Sequence, residues 1–324
     1  MKKIMPRMLL VSGIVLIVIV AGLAAAIKVS SPASPPPFEE IAAAFNAADY
    51  SHLPPVSHYQ ARDGRDLAYR SYPASSSAMK TAVLIHGSSG SGTMMHPLAR
   101  YLQAQGIDIY VPDMRGHGSS GERGDIAYIG QLEDDLEDFI HEILKKRQDL
   151  TLIGFSAGGG FALRFAASDR QNYFDRYLLL APFLRHDAPT TRPEINKWAD
   201  AGVLRIIALN LLGPLGEKYF GHLPVLAFGV DSQNAQNQIP VYSYRLWKNF
   251  GAHYNYKVDM KNAGKPIAVM VGSDDELFYP QKFLPLFAEG QPHAEIAIVP
   301  DAGHISLITD KSGMEAIARH LLPE

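Results

Sequence analysis

Leu150-Thr151-Leu152-Ile153-Gly154-Phe155-Ser156-Ala157-Gly158 is the stretch of sequence that decides the fold. An apolar strand leads directly into a Gly-x-Ser-x-Gly turn, which predicts a sharp strand-to-helix junction that lifts the hydroxyl of Ser156 clear of the backbone. Glycine is needed on both sides because a side chain there would collide with the turn. The predicted helix 157–167 points its N-terminal amides at the place where an anion would form on a substrate carbonyl. This arrangement indicates acyl transfer.

A nucleophilic serine needs a base and a group that orients the base, and two later strands end in suitable side chains. The apolar run 266–272 leads into Ser273-Asp274-Asp275-Glu276, and the run 294–299 leads into Pro300-Asp301-Ala302-Gly303-His304. Ligands of open α/β sheets bind at the carboxyl edge of the strands, where these side chains are expected. The chain order is Ser156, Asp275, His304, which is the order of the α/β-hydrolases.

Besides the serine turn, four motifs in chain order resemble the serine aminopeptidase S33 branch of the α/β-hydrolases, which includes monoacylglycerol lipases and lysophospholipases. These motifs are Leu84-Ile85-His86-Gly87-Ser88, Asp113-Met114-Arg115-Gly116-His117-Gly118-Ser119-Ser120, Gly272-Ser273-Asp274-Asp275 and Gly303-His304. The resemblance covers roughly His58 to the C-terminus.

The resemblance implies the role of each site residue. Its Gly-x-x-Asp pattern places the acid on Asp275, with Asp274 as the alternative, beside Ser156 and His304. Its His-Gly-x pattern makes the backbone N–H of Ser88 an oxyanion donor together with that of Ala157. It implies no cofactor and no metal.

Other polar side chains are interpreted as structural. His86 is expected to shape the oxyanion loop, and Arg115 and His117 to tie loops together beneath the site. The run Glu133-Asp134-Asp135 with Glu137 and Asp138 lies on a helix with apolar residues at helical spacing, which predicts a solvated face rather than a metal site. The remaining histidines interpreted as surface or hydrogen-bonded side chains are His222, His253, His293 and His320.

The rest of the chain alternates strands with helices, which requires a mostly parallel sheet covered on both faces. The expected fold is therefore an α/β-hydrolase fold with about eight strands, helices on both faces and an inserted cap. The predicted strands are 58–62, 67–72, 81–85, 107–111, 150–154, 177–180, 267–271 and 296–299, the first two forming a hairpin. The predicted helices are 94–105, 126–146, 157–167, 280–287 and 313–322.

A long interval between two strands predicts the cap, at about residues 183–265 of a hydrolase domain that spans 38–324. A compact domain has no structureless loop of that length. Within it, the run 203–212 is apolar nearly all round, as expected of a helix buried between cap and site or in the core of the cap itself. A second stretch, 242–256, is rich in aromatic residues. If either lines the pocket, the acyl group is hydrophobic.

The N-terminus predicts a membrane anchor at residues 1–28. Lys2, Lys3 and Arg7 precede an uncharged run, 8–27, that is long enough to cross a bilayer as a helix. The preceding positive charge keeps the N-terminus cytoplasmic and the catalytic domain outside the cytoplasm, in the periplasm of a Gram-negative source. The alternative is a signal peptide cleaved near Ala26, after which the protein is secreted.

The segment after the anchor predicts a linker and a short helix. The Pro/Ser-rich residues 29–37 favour an extended, semi-rigid spacer that holds the enzyme just off the bilayer. Phe38, Ile41 and Phe45 then lie on one side of a short amphipathic helix, expected to pack on the domain or to lie on the membrane surface.

Composition excludes some partners. Four of the 30 Lys and Arg residues lie in the first 28 positions, so beyond Lys28 33 acidic side chains face 26 basic ones. No nucleic-acid partner is expected of such a surface. The absence of cysteine excludes disulfides, thiolate metal sites and a cysteine nucleophile.

The sequence thus predicts a serine hydrolase of carboxylic esters that acts on a small-molecule ester or lipid with a hydrophobic acyl group, similar to lysophospholipases and monoacylglycerol lipases. An aminopeptidase is the first alternative, and would need acidic cap residues such as Glu194, Asp200 or Glu217 to bind a free amine. The second is a non-catalytic binding protein, because a fold does not determine function.

Overall fold

A computed structural model describes residues 4–75, 80–145, 149–230 and 238–322, with side chains described from Ser12 onward. The predicted end of one helix at Lys146, residues 231–237 of the cap interval and the last two residues lie outside this part. The strands that it contains are β1 Ser57–Gln60, β2 Asp66–Tyr72, β3 Lys80–Ile85, β4 Ile107–Pro112, β5 Leu150–Phe155, β6 Arg176–Leu180, β7 Ala199–Ala201, β8 Pro224–Phe228, β9 Val241–Ser243, β10 Ile267–Gly272 and β11 Glu295–Val299.

The helices begin with the N-terminal apolar one and end near the C-terminus. They are α1 Ile4–Val29, α2 Glu39–Ala47, α3 His96–Ala104, α4 Gln131–Phe139, α5 Ala157–Ala166, α6 Ile195–Trp198, α7 Val203–Leu212, α8 Pro214–Phe220, α9 Tyr244–Asn249, α10 Tyr256–Asn262, α11 Phe283–Gly290, α12 Ser306–Thr309 and α13 Lys311–Leu321. Short 3-10 turns precede α3 and α11, and α4 continues as a π-helical turn, Ile140–Leu144.

Eight strands of the described part form one sheet in the order β1-β2-β4-β3-β5-β6-β10-β11. The pairs β1–β2 and β2–β4 are antiparallel, and the pairs from β4 to β11 are parallel. The central strands β5 and β10 are buried along their whole length, as expected of parallel strands covered on both faces. One group of helices, α3, α12 and α13, packs together, as does a second group, α5, α10 and α11. The predicted α/β-hydrolase fold is confirmed.

The strand bounds agree with the prediction to within two residues at each end, whereas the helix predicted at 126–146 begins five residues later than expected. The pattern predicts a helix from Ile126, but α4 begins at Gln131. The intervening residues are bound by α9 of the cap: Arg245 pairs with Asp125 and donates to Ala127 O, and the N–H of Gly130 donates to Asn249 Oδ1. Bonds to a distant element replace the first helical turn there.

The prediction of a solvated acidic face on α4 is wrong. Glu133 and Asp135 are buried, and each is paired with a buried arginine, Arg164 and Arg115 respectively. The partly exposed carboxylates of the run, Asp134, Glu137 and Asp138, surround Arg62. The helical spacing of apolar residues shows which side packs on the core, but it carries no information on arginines from other elements. Among the described residues no cluster of His, Asp and Glu could hold a metal ion.

The apolar helix α1 is a candidate membrane span. Its segment Ser12–Val29 has a mean hydropathy of 2.5 and no buried residue. The C-terminal end of α1 packs against α7, where Arg205 Nε donates to Ile27 O at 2.7 Å and Arg205 Nη1 to Pro224 O at 2.6 Å. The linker then follows the cap, since the N–H of Ala33 donates to Asp200 Oδ2 at 2.8 Å. The extended segment therefore contacts the cap.

The interval predicted as the cap contains a small antiparallel sheet, β7-β8-β9, and the helices α6 to α10. The last of these, α10, packs on α5 and α11. The expectation that the apolar run 203–212 is buried between cap and site, or in the core of the cap, is wrong for most of its apolar side chains: in α7 only Arg205, Ala208 and Leu209 are buried. Val203, Leu204, Ile207 and Leu211 are exposed, together with Leu215, Tyr219 and Phe220 of α8.

Candidate active site

Ser156 lies at the junction of β5 and α5 in a strained backbone conformation, with φ of 54° and ψ of −117°. The flanking glycines have no room for a side chain. A Cβ on Gly154 would lie 2.1 Å from Gly158 O, and one on Gly158 would lie 2.4 Å from His86 O. The sequence therefore forms the predicted elbow because only glycine permits β5, the turn and α5 to approach so closely.

The loop that follows β3 lies directly against this elbow. A Cβ on Gly87 would be 3.2 Å from Ser156 Cβ, and Ser88 borders the same cavity as Ser156. His86 is fully buried: its Nδ1 donates to Gly87 O at 2.9 Å and its Nε2 accepts the N–H of Met114 at 3.2 Å. Burial lowers the pKa of His86, so the ring is a neutral spacer that shapes the loop.

Asp275 and His304 form a buried pair at the carboxyl ends of β10 and β11. His304 Nδ1 lies 2.9 Å from Asp275 Oδ2, and both side chains are nearly inaccessible to solvent. The other oxygen of Asp275 accepts the N–H groups of Leu277 at 2.9 Å and Phe278 at 2.8 Å. The ring of His304 packs between those of Phe155 and Phe278. This frame fixes both the carboxylate and the imidazole.

Asp274 and Glu276, the neighbours of Asp275 in the chain, are placed differently from Asp275. Asp274 is exposed, so of the two candidate acids it is Asp275 that contacts His304. Glu276 Oε2 accepts the backbone N–H of His304 at 2.6 Å and thus holds the loop that carries the histidine. The sequence shows Glu276 in the acidic run but gives no sign of this contact.

A buried hydrogen-bond chain connects the cap to the loop after β3. The hydroxyl of Tyr242, on β9, accepts the N–H of Ser89 at 2.7 Å and donates to His117 Nε2 at 2.5 Å. His117 Nδ1 donates in turn to Arg115 O at 3.2 Å, while the guanidinium of Arg115 binds Asp135 and Asp63. Burial lowers the pKa of His117 well below its ordinary value. Arg115 and His117 therefore tie loops together, as predicted from the sequence.

A small cavity of about 20 Å³ joins the predicted residues. Ser156, His304 and Ser88 border it, and the rest of its lining is almost wholly apolar. The other residues around it are Ile41, Phe45, Gly87, Met94, Phe155, Trp198, Leu277 and Ile305.

The family of the chain follows from its sequence profile. The profile described as "Serine aminopeptidase, S33" matches residues 76–311, which is well over half of the chain and includes Ser156, Asp275 and His304. The chain belongs to the serine aminopeptidase S33 family. A search of curated proteins finds no matching relative for this S33 chain.

Solved structures similar to this S33 protein share its fold. A soluble variant of monoglyceride lipase from Saccharomyces cerevisiae, in complex with a substrate analogue, is 21% identical with a TM-score of 0.65; the match covers 84% of this chain and 96% of that one. A monoacylglycerol lipase from Paleococcus ferrophilus is 20% identical with a TM-score of 0.58, and the match covers 79% and 98%. A carboxylesterase from Bacillus subtilis is 14% identical with a TM-score of 0.57, and the match covers 87% and 96%.

Some residues of the cavity were not identified from the sequence. Trp198 comes from the cap, Met94 from the turn before α3, and Ile41 and Phe45 from α2, outside the S33 match. The amphipathic spacing of Phe38, Ile41 and Phe45 predicts that one face of α2 is buried, which is confirmed, but not what it is buried against. Neither predicted apolar stretch of the cap, 203–212 or 242–256, borders the cavity.

Proposed function

We propose that this S33 protein is a serine hydrolase that cleaves carboxylic esters with a hydrophobic acyl group through an acyl-enzyme on Ser156. The observation that carries the proposal is the buried His304–Asp275 pair, whose histidine borders the same cavity as Ser156. A serine on a strained elbow beside an oriented imidazole is the arrangement that acyl transfer requires. The fold shared with monoglyceride lipases and a carboxylesterase supports the ester class.

In the proposed mechanism, Ser156 Oγ attacks the ester carbonyl while His304 Nε2 takes its proton. Asp275 holds the other ring nitrogen as the donor and stabilises the imidazolium. The N–H of Ala157 is one of the first amides of α5, which have no partner within the helix, and together with that of Ser88 it would bind the oxyanion. His304 then gives its proton to the leaving alcohol. Water, activated by the same histidine, releases the acid.

The apolar lining of the cavity supports an acyl group without charge. Phe155, Trp198 and Leu277 present hydrocarbon next to Ser156, which favours burying an alkyl chain over a polar group.

The acidic cap residues that an aminopeptidase would need are not at the cavity. Asp200 binds the backbone of the linker, and Glu217 lies 3.4 Å from the N–H of Ile129. Neither these two nor Glu194 borders the cavity, so among the described residues no acidic side chain there would hold a substrate amine. This favours the ester over the peptide substrate.

We further propose that the protein is held at a membrane by α1, with its N-terminus in the cytoplasm and the hydrolase domain on the other side. The exposed apolar side chains of α7 and α8 support this, because they lie beside the end of α1 that packs on α7. Leu211 is 72% exposed and Leu215 is 61% exposed, which is costly in water but not in lipid.

Replacement of the serine tests the proposal. Ser156→Ala should lower the rate of p-nitrophenyl ester hydrolysis by on the order of 10⁴-fold and abolish labelling by a fluorophosphonate. Ser168→Ala, at a partly buried serine at the far end of α5, is the control and should leave both unchanged. A Ser156→Ala enzyme that turns over at the wild-type rate would end the proposal, and wild-type protein that reacts with no fluorophosphonate would revive the non-catalytic alternative.

A further inference from the structure

Helix α2 closes the cavity that contains Ser156. Its residues Ile41 and Phe45 are buried and border the cavity, whereas Glu39 and Glu40 face solvent. At about 20 Å³ the cavity has room for roughly one water molecule and none for an acyl chain. An acyl chain bound beside Ser156 therefore needs more room than this lining leaves.

The chain on both sides of α2 is fastened to different parts of the molecule. Before it, the linker is bound to the cap through Ala33 and Asp200. After it, Ser51 O accepts a hydrogen bond from His96 Nε2 of α3 at 2.8 Å. Helix α2 also packs against α12, which follows His304 in the chain. The segment thus crosses the site from the cap to the main sheet and its helices.

The two α2 residues differ from the rest of the lining in how they are held. Phe155 belongs to a strand buried along its whole length, and Leu277 is anchored through Asp275. Helix α2 has nine residues, no side-chain cap, and three buried hydrophobic contacts, through Phe38, Ile41 and Phe45. Isolated helices of this length are marginal in water, so its position depends on those contacts. The α2 residues are therefore held less firmly than Phe155 and Leu277.

We propose that Ile41 and Phe45 form the acyl-binding wall of the active site and determine which acyl groups it accepts. This inference rests on the proposed ester hydrolysis. Shortening either side chain makes room for hydrocarbon beside Ser156, and each additional acyl methylene that leaves water there favours the bound substrate roughly fourfold. The wall comes from residues before the S33 match at 76–311, so it lies outside the part of the chain that the family profile describes.

The experiment compares two esters on the full-length protein in nanodiscs. For Ile41→Ala and Phe45→Ala, the ratio of kcat/KM for p-nitrophenyl octanoate to that for p-nitrophenyl acetate should rise at least tenfold. Ile41→Phe, which adds bulk to the same wall, should lower the ratio. Rates are taken per site labelled by a fluorophosphonate, so that misfolded protein does not enter the comparison.

Phe38→Ala is the matched control, because Phe38 is buried directly before the same helix but does not border the cavity. It should leave the ratio unchanged. An equal rise of the ratio in this variant would mean that loosening of α2 is responsible. An unchanged ratio in the Ile41 and Phe45 variants would mean that these residues do not form the wall. Either result overturns the inference. Wild-type protein inert to both esters and to the fluorophosphonate would instead overturn the proposed function, and the inference with it.

Discussion

Each of the proposed catalytic residues is held in place by its surroundings. Asp275 accepts the amides of Leu277 and Phe278, His304 has its own amide bound by Glu276, and Ser156 is fixed by its left-handed φ. The carboxylate thus uses one oxygen for local backbone and the other for the imidazole. Such local fixation leaves few alternative rotamers for any of the three.

Asp275→Asn, compared with Asp274→Asn, tests the assignment of the acid. An amide at 275 can offer an N–H to His304 Nδ1 and favour the wrong tautomer, so the kcat for p-nitrophenyl acetate should fall by on the order of 10³–10⁴-fold. Asp274 is exposed, and its amide variant should keep kcat within about twofold. Equal losses in the two variants would contradict the assignment.

Two buried histidines should make the stability of the protein depend on pH. Burial lowers the pKa of His86 and His117, an effect that Asp113 partly offsets for His86. Below about pH 6.5 the unfolded chain binds protons that the folded one does not, so the free energy of unfolding should fall by up to about 1.4 kcal/mol per pH unit for each histidine.

Comparison of thermal unfolding at pH 7.5 and pH 5.5 measures this fall in the free energy of unfolding. His117→Gln should make the pH dependence shallower, whereas His52→Gln, at an exposed position, should not. A melting temperature that stays constant between the two pH values would show that the two rings are not held neutral.

Among the elements, the cap strand β9 binds the loop that carries one of the proposed oxyanion donors. Its Tyr242 connects the loop after β3 to the loop after β4, through Ser89 and His117. The Ser89 amide next to the proposed oxyanion donor Ser88 thus depends on a hydroxyl from the cap. The cap therefore holds the loop that carries the Ser88 amide through Tyr242 and through two hydrogen bonds between Ser89 and the backbone of Ile239.

Tyr242→Phe should therefore lower kcat by more than a loss of folded protein alone would explain. Loss of the hydroxyl leaves the Ser89 amide unpaired, at a cost of about 1–3 kcal/mol, and should lower kcat for p-nitrophenyl acetate by about tenfold with little change in KM. Tyr244→Phe is the control: it removes an equally buried cap hydroxyl that binds Asn210 instead. A similar loss of kcat in both variants would refute this role of the Tyr242 hydroxyl.

Sequence patterns predicted the elements that depend on local periodicity. Eight strands, the elbow and the acid and base at two strand ends follow from apolar runs and the residues that end them. The contacts of Tyr242 with Ser89 and of Ile41 with the cavity join residues far apart in the chain, and no periodicity encodes such partners. The error over α7 has a different cause, because an apolar run indicates an apolar environment without saying whether it is protein or lipid.

At the scale of the whole molecule, anchor, linker, cap and α2 form one continuous path over the site. Helix α1 packs on α7, the linker follows the cap, and α2 closes the cavity. The exposed apolar face of α7 and α8 lies at the start of this path. In the proposed orientation, this face of the cap is the part of the hydrolase domain that meets the bilayer.

Single-cysteine labelling should detect this orientation, because the natural chain contains no cysteine. Nitroxides at Leu211→Cys and Leu215→Cys of the full-length protein in nanodiscs should collide more with oxygen than with a water-soluble nickel complex. A nitroxide at Lys311→Cys, where the lysine side chain is 82% exposed on the helix α13, should show the reverse. Equal nickel accessibility at all three sites would contradict contact of the cap with lipid.

The left-handed backbone of Ser156 has a consequence for how the chain can change over time. A residue with a side chain in such a conformation costs about 1–3 kcal/mol, a sizeable part of the margin by which a domain stays folded. Glycine at this position would relieve that cost, so selection for stability alone would favour loss of the hydroxyl. Only selection for turnover opposes this substitution, and an inactive descendant of this chain would be expected to melt at a higher temperature.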